Sequence, residues 1–136
     1  MNKASKRTRD NLKGVNEKLV MLAGYALAIS EQDFFVNEGL RSTAKQQEYF
    51  KNGRSQLDGI NKKSKHQLGR AIDIYYTGWK NTDSIKDPRW EKVYKAFRIA
   101  AANLHINIVF GANWKTFKDN PHIELASGEW SEWMLL

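Results

Sequence analysis

Two of the three histidines in this chain stand near carboxylates at spacings that could hold a divalent cation. His66 precedes Asp73 by seven residues, and Asp73 lies in an apolar run that predicts a strand. Gly69 between them can adopt a positive φ, which would let the chain double back and bring the two side chains together. A buried carboxylate needs a partner because an unpaired buried charge is very costly. A divalent cation or an arginine would provide that partner.

His122 has Asp119 three residues before it and Glu124 two residues after it, on the same face of a predicted strand. Two histidines and one aspartate could bind zinc and leave a fourth position open for water, while a spare carboxylate acts as the base. The spacing leaves simpler interpretations open. A histidine near an aspartate often forms only a hydrogen bond, Asp119 could form a turn, and Glu124 could merely orient His122.

The elements that must position these residues begin with three predicted helices. Apolar residues recur at steps of three and four over residues 10–29, which predicts one long helix. A capping-box pattern with Gln46 three residues after Thr43 predicts a second helix to about residue 52. Asp87 and Pro88 are typical of a third helix start, and its apolar stripe continues to Leu104. His105 follows without an acidic neighbour, so we expect it to pack or to cap that helix.

The strands are predicted in the spaces between and after these helices, at residues 33–41, 71–76, 105–111 and 122–125. The polar segment 52–65 predicts a loop that is functional or mobile, because long loops in compact domains usually are. The helices come first and the strands gather later. We therefore expect an α+β fold in which a small, mostly antiparallel sheet packs against about three helices.

The composition predicts one globular domain over residues 1–136. Hydrophobic residues make up 41% and charged residues 27%, which excludes a disordered chain. The absence of cysteine excludes disulfides, thiolate zinc sites and thiol catalysis. The net charge of +7 favours an anionic partner or environment. The apolar stretch 19–29 is shorter than the roughly 20 residues of a membrane span, so we expect no membrane insertion.

Three motifs resemble the M15 family of zinc peptidases, which includes D-Ala-D-Ala carboxypeptidases. SKHQLGRAID matches the pattern S-x-H-x-x-G-x-A-x-D, FGANWKTFKDNPHIEL is similar to the second motif, and EGLRSTAKQQEYFKNG to a third. The resemblance covers about residues 10–126 and is nearest to phage endolysins of the L-alanyl-D-glutamate peptidase type. It implies a fold like that of hedgehog domains and D-Ala-D-Ala peptidases, without a separate wall-binding domain.

The resemblance also implies roles for individual residues. The zinc ligands would be His66, Asp73 and His122. Asp119 would be the general base, and Arg41 would stabilise the oxyanion or hold a substrate carboxylate. The other expected neighbours of the site, in the surrounding shell or against the substrate, are Ser64, Asn113, Glu124 and Trp114. Asn113 stands where many relatives have an aspartate, so this position keeps a hydrogen-bond acceptor but carries no charge.

The implied reaction is zinc-dependent hydrolysis of the L-Ala–D-Glu bond in bacterial peptidoglycan stem peptides during host lysis. One alternative is a D,D-carboxypeptidase that releases terminal D-Ala. Another is a non-catalytic, zinc-bound recognition module, against which the presence of Asp119 argues. We expect no nucleic acid partner, because the five tryptophans are not interleaved with basic residues.

The resemblance further implies a route to the cell wall. The N-terminus lacks the apolar core of a secretory signal. The resemblance therefore implies that the protein stays in the host cytoplasm until a holin opens the membrane, and then reaches the cell wall. We also expect the protein to be a monomer. The tail, residues 127–136, carries two tryptophans and an apolar end, and we expect it to pack against the core.

Overall fold

A computed structural model of the chain describes residues 1–128 and residue 130. Within the tail, residues 129 and 131–136 lie outside the described residues, so most of the prediction for the tail does too. The elements are, in chain order, α1 (Lys6–Asn11), α2 (Glu17–Ile29), β1 (Phe34–Glu38), α3 (Thr43–Lys51), β2 (Ala71–Tyr76), α4 (Pro88–Leu104), β3 (Ile108–Phe110), a 3₁₀ turn (Gly111–Asn113) and β4 (His122–Leu125). The predicted α+β class is confirmed. Within the described part of the chain, no helix is long and apolar enough to span a membrane.

The four strands form one sheet in the order β1-β2-β4-β3, and every neighbouring pair is antiparallel. The last strand in the sequence, β4, therefore lies between β2 and β3 in the interior of the sheet. Asp73 of β2 is the direct cross-strand partner of His122 of β4. The topology thus brings together two residues that are far apart in the sequence.

The two faces of the sheet differ because side chains alternate along each strand. Ile72, Ile74 and Tyr76 of β2 and Ile123 of β4 are fully buried in the core, where α2 and α4 pack together. Burying an aliphatic side chain of this size contributes roughly 1.5–3 kcal/mol. The alternating positions, which include Asp73, Tyr75, His122 and Glu124, point to the opposite face. The core therefore holds the sheet while leaving that face for polar side chains.

The prediction of one helix over residues 10–29 is wrong, because α1 ends at Asn11 and α2 begins at Glu17. Gly14 has φ +80°, which no helix accommodates, and the Asn16 side chain caps α2 by accepting a hydrogen bond from the Lys18 amide. Val15 in the connection is buried like Leu19 in the helix, so the apolar spacing continues through the break. The connection also supports the site, since the Asn16 amide donates to the Gly69 carbonyl at 2.8 Å.

Candidate active site

Three donor atoms converge on the polar face of the sheet. Asp73 Oδ1 lies 3.2 Å from His66 Nε2 and 3.6 Å from His122 Nδ1. His66 comes from the turn before β2, which reverses at Gly69 with φ +68°, as its position between His66 and Asp73 predicts. These three donors all lie within 4.8 Å of one another. They form the only group of three metal-binding side chains at such distances in the described residues.

Each histidine is held by its second ring nitrogen in the orientation that this convergence requires. His66 Nδ1 donates to the Gly39 carbonyl at 2.9 Å, and His122 Nε2 lies 2.8 Å from Glu124 Oε1. With a hydrogen on each of those nitrogens, the other nitrogen faces Asp73 and would offer a lone pair to a metal ion once its own proton is lost. Contacts of this kind fix the tautomer of metal-binding histidines. The geometry therefore supports the interpretation of Glu124 as an orienting partner of His122.

The arrangement fits a tetrahedral metal ion. With metal–ligand bonds of about 2.0 Å, tetrahedral ligands stand about 3.3 Å apart, close to the two distances from Asp73. Burial raises the pKa of Asp73, but hydrogen bonds from His122 and His66 outweigh it and hold the pKa well below its usual value. Burial lowers the pKa of His122, whereas Asp73 and Glu124 raise it to about 9. The carboxylates thus make a site for positive charge.

Asp119 is brought beside this cluster by a tight contact with the 3₁₀ turn. Its amide donates to the Gly111 carbonyl at 3.0 Å, and its carbonyl accepts from the His122 amide at 3.2 Å. A Cβ atom on Gly111 would lie 2.4 Å from the Asp119 carbonyl oxygen, so only glycine fits there. Burial raises the pKa of Asp119, and the charge of Asp73 raises it further. A carboxyl group of raised pKa beside a metal site is suited to act as a base.

Arg41 is nearly buried and extensively bonded. Its Nε donates to Glu38 Oε1 at 2.9 Å, its Nη2 pairs with the same oxygen, and its Nη1 donates to Gln46 Oε1 at 2.8 Å. Glu38 Oε1 lies 4.0 Å from His66 Nδ1, so this pair belongs to the wall of the site. The Arg41 guanidinium also lies 4.6 Å from the centre of the Tyr49 ring.

Sequence reasoning missed Glu38 and Gln46 as parts of the site. Gln46 was read only as the glutamine of a capping box, but Ser42 caps α3 and accepts from the Lys45 amide. The Gln46 side chain is fully buried instead and bonds to Arg41 and to the following loop. The pairing of Glu38 with Arg41 could have been predicted, because a glutamate three residues before an arginine can form an ion pair with it.

The remaining predicted neighbours lie at different depths around the cluster. The centre of the Trp114 ring lies 4.9 Å from the centre of the His122 ring. Ser64 is buried, and its hydroxyl accepts from the Gln67 amide at 3.2 Å, which fixes the turn that carries His66. Asn113 is exposed, and among the described residues no hydrogen bond joins it to a ligand histidine. The orienting contact with His122 is made by Glu124 and not by Asn113.

Two further sequence predictions concern supporting elements. His105 is the C-cap of α4, with φ 55°, and its backbone amide donates to Ala101, so the predicted capping role is confirmed. Asp87 caps the start of the same helix, as predicted. The polar loop 52–65 is tied to the helix before it, because Gln46 Nε2 donates to Ser55 Oγ at 2.9 Å and to the Leu57 carbonyl at 2.8 Å.

Comparisons with known proteins agree with this fold. The family model described as phage L-alanyl-D-glutamate peptidase matches residues 1–127. The L-alanyl-D-glutamate peptidase of Escherichia phage T5 is 34% identical over 131 residues, which cover 93% of this chain and 90% of that protein. The crystal structure of the Serratia marcescens L-Ala D-Glu endopeptidase ChiX matches with a TM-score of 0.77 and 34% identity, over 89% of this chain and 87% of that one.

Fold, cluster and relatives together define an enzyme of the peptidase class. The chain belongs to the phage L-alanyl-D-glutamate peptidase family. The predicted family and the prediction of an enzyme are therefore confirmed.

Proposed function

We propose that this chain is a zinc-dependent endopeptidase that hydrolyses the L-Ala–D-Glu bond of peptidoglycan stem peptides. The observation that carries the proposal is the convergence of His66 Nε2, Asp73 Oδ1 and His122 Nδ1 within 4.8 Å. The bond is supported by the family description and by the names of the phage T5 and Serratia relatives. All three descriptions name L-Ala and D-Glu, whereas a D,D-carboxypeptidase would release terminal D-Ala.

His66, Asp73 and His122 would hold the metal, in a set of two nitrogens and one oxygen that suits zinc. Bound there, zinc supplies a Lewis acid that polarises the scissile carbonyl and makes a water molecule more acidic. Three protein ligands leave the coordination open, as in catalytic rather than structural zinc sites. The surrounding protein fixes which nitrogen of each histidine faces Asp73, so the ligand geometry is prepared before the metal arrives.

Asp119 is the general base in this proposal. Its raised pKa makes the carboxylate a better proton acceptor than an exposed aspartate, and its contacts with Gly111 and His122 hold it beside the cluster. It takes the proton from the attacking water and returns it to the nitrogen of the leaving D-Glu residue. Both transfers use the same carboxyl group, so no second acid is required.

Arg41 supports the developing negative charge on the scissile carbonyl oxygen. Its guanidinium has five N–H donors, and its bonds to Glu38 and Gln46 leave donors on Nη1 and Nη2. Those bonds also fix its position, so the positive charge is in place before charge develops. Because Glu38 balances the charge of Arg41, we assign Arg41 to the oxyanion rather than to a permanent substrate carboxylate.

The proposed setting is host lysis. A positively charged monomer made in the host cytoplasm would reach the wall through a membrane lesion made by a holin. The charge of +7 would then favour retention on the polyanionic envelope. This setting is supported by the phage origin of the family and of the T5 relative.

The test of the proposed roles compares Asp119→Asn with wild type for turnover of a stem peptide and for bound zinc. We expect kcat to fall about 10²–10⁴-fold while the protein still binds one zinc ion, because the variant removes the base and no ligand. Asp10→Asn, an exposed carboxylate on α1, is the matched control and should leave both unchanged. Near-normal turnover of zinc-loaded Asp119→Asn would refute the role of the base.

A further inference from the structure

A second arginine, Arg54, lies at the rim of the cleft and, unlike Arg41, is exposed and not paired with a carboxylate in the described residues. Arg54 is exposed in the 52–65 loop, and its guanidinium lies 4.3 Å from the centre of the Tyr49 ring. Arg41 contacts the same ring at 4.6 Å. Tyr49 in turn donates from its hydroxyl to Glu38 Oε2 at 3.2 Å. One aromatic ring therefore separates Arg54 from the Glu38–Arg41 pair.

Arg54 is held in place but is not neutralised. Its amide donates to the Tyr49 carbonyl at 2.8 Å, and the next residue, Ser55, is bonded to the buried Gln46 side chain. A guanidinium stacked on an aromatic ring loses less freedom when it binds an anion than a free side chain does. In the described ranges, 1–128 and 130, no carboxylate forms an ion pair with Arg54, whereas Arg41 is paired with Glu38.

Arg54 lies beside the wall of the metal-binding cluster. Tyr49, on whose ring the Arg54 guanidinium is stacked, donates to Glu38 Oε2. The other oxygen of Glu38 lies 4.0 Å from Nδ1 of His66, one of the proposed ligands. Arg54 is therefore two side chains away from the proposed catalytic groups.

The substrate of the proposed reaction presents a matching anion. In the stem peptide, the chain continues through the γ-carboxyl of D-Glu, so its α-carboxyl is free on the carbon next to the scissile nitrogen. A carboxylate in a partly desolvated cleft needs a cation, and arginine binds it with two parallel hydrogen bonds. The geometry points to Arg54 as the residue that recognises this α-carboxylate. This inference rests on the proposed L-Ala–D-Glu peptidase function.

Arg54 would accordingly determine specificity between two forms of peptidoglycan stem. A stem with D-Glu offers the carboxylate, whereas a stem with D-isoglutamine offers a neutral amide at the same position. We expect wild type to prefer the carboxylate form by about tenfold in kcat/KM, as one charge-assisted contact provides. The preference should lie mainly in KM, since the contact is made equally in the bound substrate and in the transition state.

The experiment measures kcat and KM of the zinc-loaded enzyme on two synthetic stem tripeptides that differ only in this group. Arg54→Gln should abolish the preference by raising KM for the carboxylate form about tenfold, and Arg54→Lys should restore part of it. Two charge controls should keep the preference: Lys51→Gln at the end of α3, and Lys118→Gln beside Asp119. Because the Arg54 side chain is exposed, the unfolding temperatures of the Arg54 variants should match that of wild type.

The outcomes separate this inference from the proposed function. Equal cleavage of both peptides by wild type would overturn the role of Arg54 while leaving the endopeptidase function intact. A preference that survives in Arg54→Gln, or that is lost in Lys118→Gln, would overturn it in the same way. Cleavage of neither peptide by wild type would refute the proposed function and the inference with it.

Discussion

Removing the carboxylate of Glu124 should weaken zinc binding although Glu124 is not a proposed ligand. Its Oε1 lies 2.8 Å from His122 Nε2, and the two side chains are only 16% and 9% exposed. A charge-assisted hydrogen bond in such a shielded place is worth about 1.5–3 kcal/mol, or about 10–100-fold in affinity. Glu124→Gln can still accept the hydrogen bond but lacks the charge, so we expect about tenfold. Glu124→Ala loses both and should approach 100-fold.

A second effect of Glu124 makes the loss of zinc affinity depend on pH. Glu124 also helps to raise the pKa of His122 to about 9, so in the metal-free protein a proton competes with zinc for Nδ1. Removing Glu124 eases that competition at pH 7 but not at pH 9, where His122 is already losing its proton. The loss of affinity should therefore be larger at pH 9 than at pH 7.

The assay is competition with a chelator of known affinity at both pH values. Glu31→Gln, an exposed carboxylate in the connection between α2 and β1, is the matched control and should bind zinc like wild type. Affinities of Glu124→Gln and Glu124→Ala within twofold of wild type at both pH values would refute the reasoning that Glu124 fixes the ring of His122.

Two further predictions concern the frame of the site. Gly111→Ala would place a Cβ 2.4 Å from the Asp119 carbonyl oxygen. We therefore expect the free energy of unfolding to fall by about 1–3 kcal/mol and kcat to fall about 10²-fold. The control Gly24→Ala, which has open space around it, should lose neither. In the metal-free protein, the lowered pKa of Asp73 stabilises the fold above pH 3.8, and this stability is lost as the pH falls below that value. The raised pKa of His122 stabilises the fold below pH 6.5, and this stability is lost as the pH rises through about 9. The unfolding temperature measured in the presence of a chelator should thus be highest between about pH 4 and 6.5. An unfolding temperature that does not fall between pH 6.5 and 9.5 would contradict the raised pKa of His122.

The approach of His66 to Asp73 could be predicted because the signals for that turn are local in the sequence. The turn from His66 to Asp73 requires a residue that tolerates positive φ, and Gly69 provides it. The pairing of Asp73 with His122 could be proposed only from the resemblance, since cross-strand register depends on the whole sheet. Local turn chemistry was thus sufficient to bring His66 to Asp73 but not to give the register that places His122 beside them.

The break between α1 and α2 was missed because apolar periodicity reports burial and not backbone continuity. Val15 faces the core from a connection, and its spacing from Leu19 is the same as it would be in a helix. Gly14 and Asn16, a positive-φ residue and a cap, were the signals that favoured a break. The long-range bonds of Gln46 could not be read from the sequence, because its partners Ser55 and Leu57 lie in a loop without regular spacing.

The central claim is tested most directly on purified peptidoglycan sacculi, with the released ends identified by mass spectrometry. Incubation with zinc-loaded protein should produce new D-Glu amino termini, a chelator should abolish them, and added zinc should restore them. Cleavage that continues at full rate after complete removal of the metal would contradict the metal-dependent site at His66, Asp73 and His122. Release of D-Ala without new D-Glu termini would contradict the proposed bond.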